Sequence, residues 1–333
     1  MDAQATTLSS HGGDRFQPTD AGACAAMTDA RDNAKGDAVR NGRVVIGIAT
    51  SGRRGVLSAT LAHLAHQTRL PDLVLVSVAD PQDIDLARAA ALPFPLRHIV
   101  APKGLCCQRN AILDALASQD ILLFLDDDFL IAPDYLARLD RLMAETPQVV
   151  LVTGEVLADG VTGPGLSHAA GAEILAAAPS EAQTDRTAPI HSGYGCNFAV
   201  RMAPIRAAHL RFDERLPYYG WLEDLDFSRQ LAPHGEVVKA EGLRGVHLGT
   251  KAARSPGLRL GYSQVANAIY LVRKGTMHRR HARNLVSRNI AANLVFSVRP
   301  RPWADHRGRL RGNALALVDW ARGRLDPDRI RTL

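Results

Sequence analysis

Hydrophobic positions change period several times along this chain, and each change marks an element. Val44-Val45-Ile46-Gly47-Ile48-Ala49 is a short, β-branched run ending in Thr50-Ser51-Gly52, the pattern of a buried strand meeting a loop. Leu57, Leu61 and Leu64 then recur at helical spacing, and the helix stops before Pro71. Leu73 to Val78 reads as a second strand, followed by Asp80, and Arg97 to Val100 as a third. Residues 104–118 read as a helix with Ile112, Leu113 and Leu116 inward. Ile121 to Leu125 is a fourth strand running into Asp126-Asp127-Asp128, and Pro133 to Glu145 is helical, with proline near its first turn. Strands alternating with helices imply an α/β fold with a mostly parallel sheet.

The regularity falls after Val149 to Leu157. Residues 158–190, rich in Gly, Ala and Pro, are expected to include a mobile loop. Gly195 to Arg201 resumes as a strand, 222–232 as a helix, and Glu236 to Lys239 as a short strand. Residues 255–333 carry three amphipathic helical stretches, marked by Val265, Ile269 and Val272, by Val286, Ile290 and Leu294, and by Leu310, Ala314 and Leu317. Residues 1–41 hold few large apolar groups and bury too little to offset their ordering entropy, so disorder is expected there.

Composition sharpens the outline. With 333 residues, 46% of them apolar, the chain can bury a sizeable core. Its net charge of +6 hides an asymmetry: residues 1–250 hold 22 Lys and Arg against 30 Asp and Glu, and residues 251–333 hold 18 against 4. Four cysteines, Cys24, Cys106, Cys107 and Cys196, form neither a disulfide scaffold nor a zinc spacing, so a reducing, cytoplasmic setting is expected. The sequence shows no membrane-spanning apolar run and no basic-then-apolar leader pattern.

Thr50, Asp80 and the triple aspartate all fall at expected strand C-terminal ends, where ligands bind in such sheets. Along an extended segment Asp126 and Asp128 would share one side, and two hard oxygen ligands suit Mg²⁺ or Mn²⁺. The alternative is a solvated loop that caps the next helix. Glu223-Asp224 opens a helix, where the dipole alone favours acids; the pair could equally supply a general base. Trp221 beside it could stack on a sugar or fill a core. His247 is either a structural histidine or a third partner for the carboxylates. Arg109 would face the same sheet edge or be solvated, and Arg53 and Arg54 would meet phosphate or solvate a turn.

Read together, Ile48-Ala49-Thr50-Ser51-Gly52-Arg53, Val78-Ala79-Asp80, Lys103-Gly104 to Arg109-Asn110, Phe124 to Asp128, Gly195 to Arg201 and Gly220 to Asp226 resemble, in order and spacing, the family 2 glycosyltransferases of bacterial polysaccharide type. The resemblance spans roughly residues 43–250. It implies a GT-A, Rossmann-like nucleotide-sugar-binding domain over 43–252 and a basic helical C-terminal extension over 253–333. It further implies that Thr50 and Asp80 contact the base, that Arg109 lies near base or diphosphate, and that Asp126 holds ribose or shares the metal. Asp128 would bind the metal, His247 would be a further ligand, and Asp224 of the Glu223-Asp224 pair would be the catalytic base of an inverting displacement. The donor would be a nucleotide-sugar, most often a UDP-sugar in such enzymes, and the acceptor a saccharide or a lipid-linked sugar.

The basic tail has three readings: an anionic membrane surface at the inner face of the cell membrane, nucleic acid, or packing on the acidic body. Nucleic acid ranks lowest because aromatic residues for base stacking are sparse. Two rival functions remain. A nucleotidyltransferase would carry an early glycine-rich loop with lysine, which Ser51-Gly52-Arg53-Arg54-Gly55 imitates only in part. A non-catalytic membrane or polyanion adaptor would use the tail alone. A dehydrogenase is disfavoured, since no GxGxxG follows the first strand.

Overall fold

The computed structural model describes residues 42–178, 186–253 and 255–333. The disorder expected for residues 1–41 thus falls outside the described residues. The strands are β1 (Val44–Thr50), β2 (Leu73–Val78), β3 (Leu96–Val100), β4 (Ile121–Asp126), β5 (Phe129–Ile131), β6 (Val149–Asp159), β7 (Thr187–Pro189), β8 (Asn197–Arg201) and β9 (Glu236–His247). The helices are α1 (Arg54–Leu64), α2 (Leu86–Ala89), α3 (Leu105–Asp114), α4 (Tyr135–Glu145), α5 (His168–Ala177), α6 (Met202–Ala207), α7 (Glu223–Leu231), α8 (Gly257–Lys274), α9 (Arg279–Val298) and α10 (His306–Ala321).

The strands form one sheet in the order β3-β2-β1-β4-β8-β6-β9-β5, with β7 paired to β9. Its first half, β3-β2-β1-β4, is parallel, and β1 and β4 are buried on both faces, which explains their unbroken apolar runs. From β8 onward the sheet is mixed: β8 runs antiparallel to both β4 and β6, whereas β6 and β9 are parallel. The fold is the expected GT-A-like α/β type with a helical C-terminal part.

Two stretches depart from the local pattern. Part of the loop expected over 158–190 is helix: Ser167 Oγ accepts from Ala170 N and opens α5. The short strand expected over Glu236 to Lys239 is the start of a strand three times as long, β9, which runs on to His247. Gly242 and Gly245 blur the alternation, and the pairings that hold this length come from β5, β6 and β7, all distant in sequence. Helix α8 is buried along its inner face, and its Ala268 and Leu271 share a core with Phe198, Phe212 and Phe227.

Candidate active site

The acidic run lies where β4 ends. Asp126 is the last residue of β4, Asp127 and Asp128 make a turn, and Phe129 begins β5. Strand alternation therefore does not set the geometry; the turn does. It sends Asp127 to one side, where Thr50 Oγ1 donates to it at 2.6 Å and Arg53 at 2.8 Å. Asp128 turns to the other, where its carboxylate accepts from Thr250 N at 2.7 Å.

Register brings in the histidine. His247 pairs with Phe129 across β5·β9 and with Asp159 across β6·β9, so β9 carries the imidazole between Asp159 and the turn that bears Asp128 just ahead of β5. Its Nε2 lies 3.3 Å from Asp128 Oδ1 and 3.7 Å from Asp126 Oδ2, and its Nδ1 lies 3.1 Å from Asp159 Oδ1. Tyr194 donates to Asp159 at 2.7 Å. Gly249, at φ +64°, ends the strand where an added Cβ would sit 2.2 Å from Gly160 C, so glycine alone allows the two backbones to approach.

The electrostatics follow from this crowding. Burial opposes a charge on His247, but Asp128 and Asp159 outweigh it and lift its pKa to about 10. Burial pushes Asp127 up to about 6, against the pull of Arg53. Asp159 is pulled down to about 2: burial acts against its charge, and its bonds from His247, Tyr194 and Val161 N prevail.

The residues fit a divalent cation. One donor atom each of Asp126, Asp128 and His247 lies within 4.8 Å of the others, and two oxygens with one imidazole nitrogen suit Mn²⁺ or Mg²⁺. The contact of Nδ1 with Asp159 leaves Nε2 as the ligand, the carboxylate–histidine arrangement of metal centres. The proton on His247 is what a bound cation would displace.

The second acidic pair opens α7. Tyr218, Gly220 and Leu222 all have positive φ, of 57°, 66° and 75°, a tight winding that is costly for Tyr and Leu. It sets Tyr219 and Trp221 side by side, ring centroids 6.2 Å apart, on the wall of a cleft of about 450 Å³ that Asp126, Asp128 and His247 also line. Glu223 is buried and pairs with Arg109 at 2.8 Å; burial, with Asp224 adjacent, pushes it up to about 8. Asp224 is less enclosed, and its carboxylate accepts from Gly195 N at 2.9 Å and Leu225 N at 2.7 Å. Burial raises its pKa.

The residues expected at the nucleotide are placed as follows. Arg109, expected near base or diphosphate, is 2% exposed, wedged among Phe124, Phe198 and Phe212. It donates to Glu223, to Gly195 O at 2.7 Å and, at 3.5 Å, to Asp126, so it joins the two acidic motifs from beneath. Asp80, expected at the base, is exposed and caps the turn at Pro81–Asp83. Its neighbour Asp83 is the buried one and accepts from Gly52 N at 2.7 Å. Thr50 lines the cleft, with its hydroxyl given to Asp127.

Sequence reasoning passed over Asp159 and the far wall of the cleft. That wall comes from the C-terminal part: Leu260 and Gln264 of α8, Asn289 of α9, and Arg301, Trp303 and His306 around the α9–α10 connection. Trp303 Nε1 donates to Thr162 O at 3.3 Å, closing the extension onto the turn that follows β6. No local motif signals these partners; they are assembled by packing.

A mixed, GT-A-like sheet with acids gathered where its strands end is the frame of this site. Residues 45–207 match the family model for glycosyl transferase family 2. Among solved structures, the mannosyltransferase PcManGT from Pyrobaculum calidifontis is 15% identical with a TM-score of 0.50, over 88% of this chain and 84% of that one. S. aureus TarS residues 1–349 are 16% identical with a TM-score of 0.49, over 87% of this chain and 89% of that one. A longer TarS structure matches at 14% identity and TM-score 0.45, over 77% of this chain, and the chain spans only 44% of its length. No curated protein matches the chain.

Proposed function

We propose that this chain is a metal-dependent, inverting glycosyltransferase that moves a sugar from a nucleotide-sugar, first of all a UDP-sugar, to a hydroxyl of a saccharide or lipid-linked acceptor. The observation that carries the reading is the meeting of Asp126, Asp128 and His247 in one cleft, tied through Arg109 and Gly195 to Glu223-Asp224. The PcManGT structure holds GDP-Man and Mn²⁺, ligands of the type proposed here.

Asp126, Asp128 and His247 Nε2 would hold the divalent cation, which supplies positive charge where the leaving nucleoside diphosphate gains negative charge. Arg53, on the cleft wall, adds a fixed cation on the same side. Trp221 and Tyr219 offer an aromatic face to a sugar ring. Asp224 takes the proton of the acceptor hydroxyl as that oxygen attacks the anomeric carbon opposite the departing diphosphate, so one displacement inverts the centre. The two backbone N–H groups on Asp224 orient its carboxylate. Glu223, spent on Arg109, positions the pair rather than reacting. We place this work in the cytoplasm, at the inner face of the cell membrane, in the building of a surface polysaccharide.

The test is a thermal-shift panel of UDP, GDP and other nucleoside diphosphates with and without Mn²⁺. A ligand bound only by the native state at 100 times its Kd stabilises by about 2.7 kcal/mol. The reading expects a rise in Tm with nucleotide and Mn²⁺ together, lost in Asp128→Ala. A chain indifferent to every nucleotide with Mn²⁺ or Mg²⁺ would defeat it.

A further inference from the structure

Among the described residues, six of the eleven exposed large hydrophobic side chains lie on α9 and α10: Leu294, Val295, Val298, Leu317, Val318 and Trp320. They are not scattered. Ala291, Leu294, Val295 and Val298 follow the i, i+3, i+4, i+7 spacing of one helical face, and Ala314, Leu317, Val318 and Ala321 repeat it on α10. All eight are exposed. The two helices pack together: Asn293 donates to Asn313 at 2.8 Å and Arg307 to Ser297 O at 3.0 Å. Each helix has used its other face for this contact, yet keeps an apolar stripe in water.

The charge around the stripes is one-signed. Residues 279–324 contain eleven arginines and two aspartates, with no lysine or glutamate. Arg288 and Arg299 on the α9 side, and Arg307, Arg311 and Arg322 on the α10 side, are exposed beside the apolar positions. Both aspartates are committed elsewhere: Asp305 caps α10 through Gly308 N, and Asp319 is buried beneath Arg324 and Arg329.

We propose that the outer face of the α9–α10 hairpin is a docking surface for an anionic lipid bilayer. An amphipathic helix with apolar side chains on one strip and arginines at its borders lies in the headgroup layer. No described helix is long and apolar enough to cross a membrane, so the mode is lying on the surface rather than spanning. Charge selects the occupant. A second copy of the chain would bring these five exposed arginines against five more, whereas an anionic headgroup layer neutralises them. The α9–α10 connection, through Arg301 and Trp303, also lines the catalytic cleft, so docking brings the cleft wall to the membrane. The surface stands on its own observations, apart from the catalytic reading.

The test is flotation of the full chain, without nucleotide, on vesicles of neutral phosphatidylcholine and on the same vesicles with a third phosphatidylglycerol. The expected result is binding to the anionic vesicles only, weakening as salt screens the arginines. Val295→Asp with Val318→Asp should lower partitioning roughly tenfold or more by removing apolar insertion. Arg288→Gln with Arg311→Gln should lower it about 25-fold, at about fivefold per arginine. Unchanged melting of both variants shows that the fold is kept. Absence of binding to anionic vesicles at low salt overturns the proposal, as does equal binding to both vesicle types. A dimer by light scattering that Val295→Asp with Val318→Asp dissolves would also overturn it and give the face to a second copy. None of these readouts depends on the cleft's ligand, so their failure is separable from failure of the catalytic reading.

Discussion

The acidic cleft and the C-terminal helices both bury polar side chains, but by opposite means. Where α8, α9 and α10 meet, one cluster of buried groups is neutral and matched. Asn293 donates to Gln264 and Asn313, Asn313 donates to Gly261 O, and His306 meets Asn293. Around the cleft the groups are charged and of like sign. Asp126, Asp127, Asp128, Glu223 and Asp224 crowd against Arg53, Arg109 and His247; burial pushes all five carboxyls upward and prevails in four, while at Asp128 the bond and charge of His247 outweigh it. A matched network fixes a structure; a cluster of like charges held together against repulsion has a use for a cation or a proton.

Glu223 and Asp224 put this comparison to its hardest trial, because neighbours in sequence fall on different sides of it. Glu223→Ala leaves Arg109 charged and 2% exposed, without its partner. Breaking a buried pair in this way costs about 3–5 kcal/mol. Denaturant unfolding should register that loss even without substrate. Asp224→Asn keeps the size, but its one amide oxygen can accept from only one of Gly195 N and Leu225 N, a loss of about 1 kcal/mol. Its turnover should fall at least ~100-fold while unfolding shifts by no more than that. An Asp224→Asn enzyme with near-normal turnover, or a Glu223→Ala chain as stable as the parent, would erase the distinction.

The part of this arrangement that sequence displays is the part made locally. Buried parallel strands show as unbroken apolar runs, so β1, β2 and β4 and the acids that follow them were legible. The three C-terminal helices showed in their periodicity and correspond to α8, α9 and α10. What sequence concealed is set by distant register. Asp159 becomes a partner of His247 only because β6 lies beside β9, and nothing near residue 159 announces it. Arg109 was expected near base or diphosphate from the family resemblance. Three phenylalanines from other elements instead enclose it, which no helical wheel of α3 reveals. The turn at Asp127–Asp128 hid in the same way, since three aspartates in a row read equally as extended chain.

The helical side of the comparison is tested by Asn313→Leu. The change leaves one N–H of the buried Asn293 amide unmatched, its other N–H still meeting Gln264, and takes the Asn313 donor from Gly261 O. Unmet groups of this kind cost about 1–3 kcal/mol each, so the midpoint of unfolding should fall while nucleotide and Mn²⁺ still raise Tm. Loss of the ligand response with unchanged stability would make the network part of the site instead.

The smallest effect concerns the joint between the two regions. Asp213 precedes α7 in sequence and holds the end of α8, accepting from Lys274 at 2.7 Å and Tyr270 at 2.8 Å. Burial works against its charge, but the bonds from Lys274 and Tyr270 outweigh it and hold its pKa below the usual 3.8. A carboxyl lowered on folding contributes stability that is complete above its unfolded pKa and is lost as pH falls through the folded one. The parent should therefore exceed Asp213→Asn in stability by a constant margin from pH 7 down to about pH 5. The margin should narrow as the pH drops below 3.8, where unfolding midpoints in an acid series should converge. A margin that holds steady through pH 3 would mean that Asp213 acts through shape and hydrogen bonding alone, and that charge plays no part in fastening the helices to the catalytic sheet.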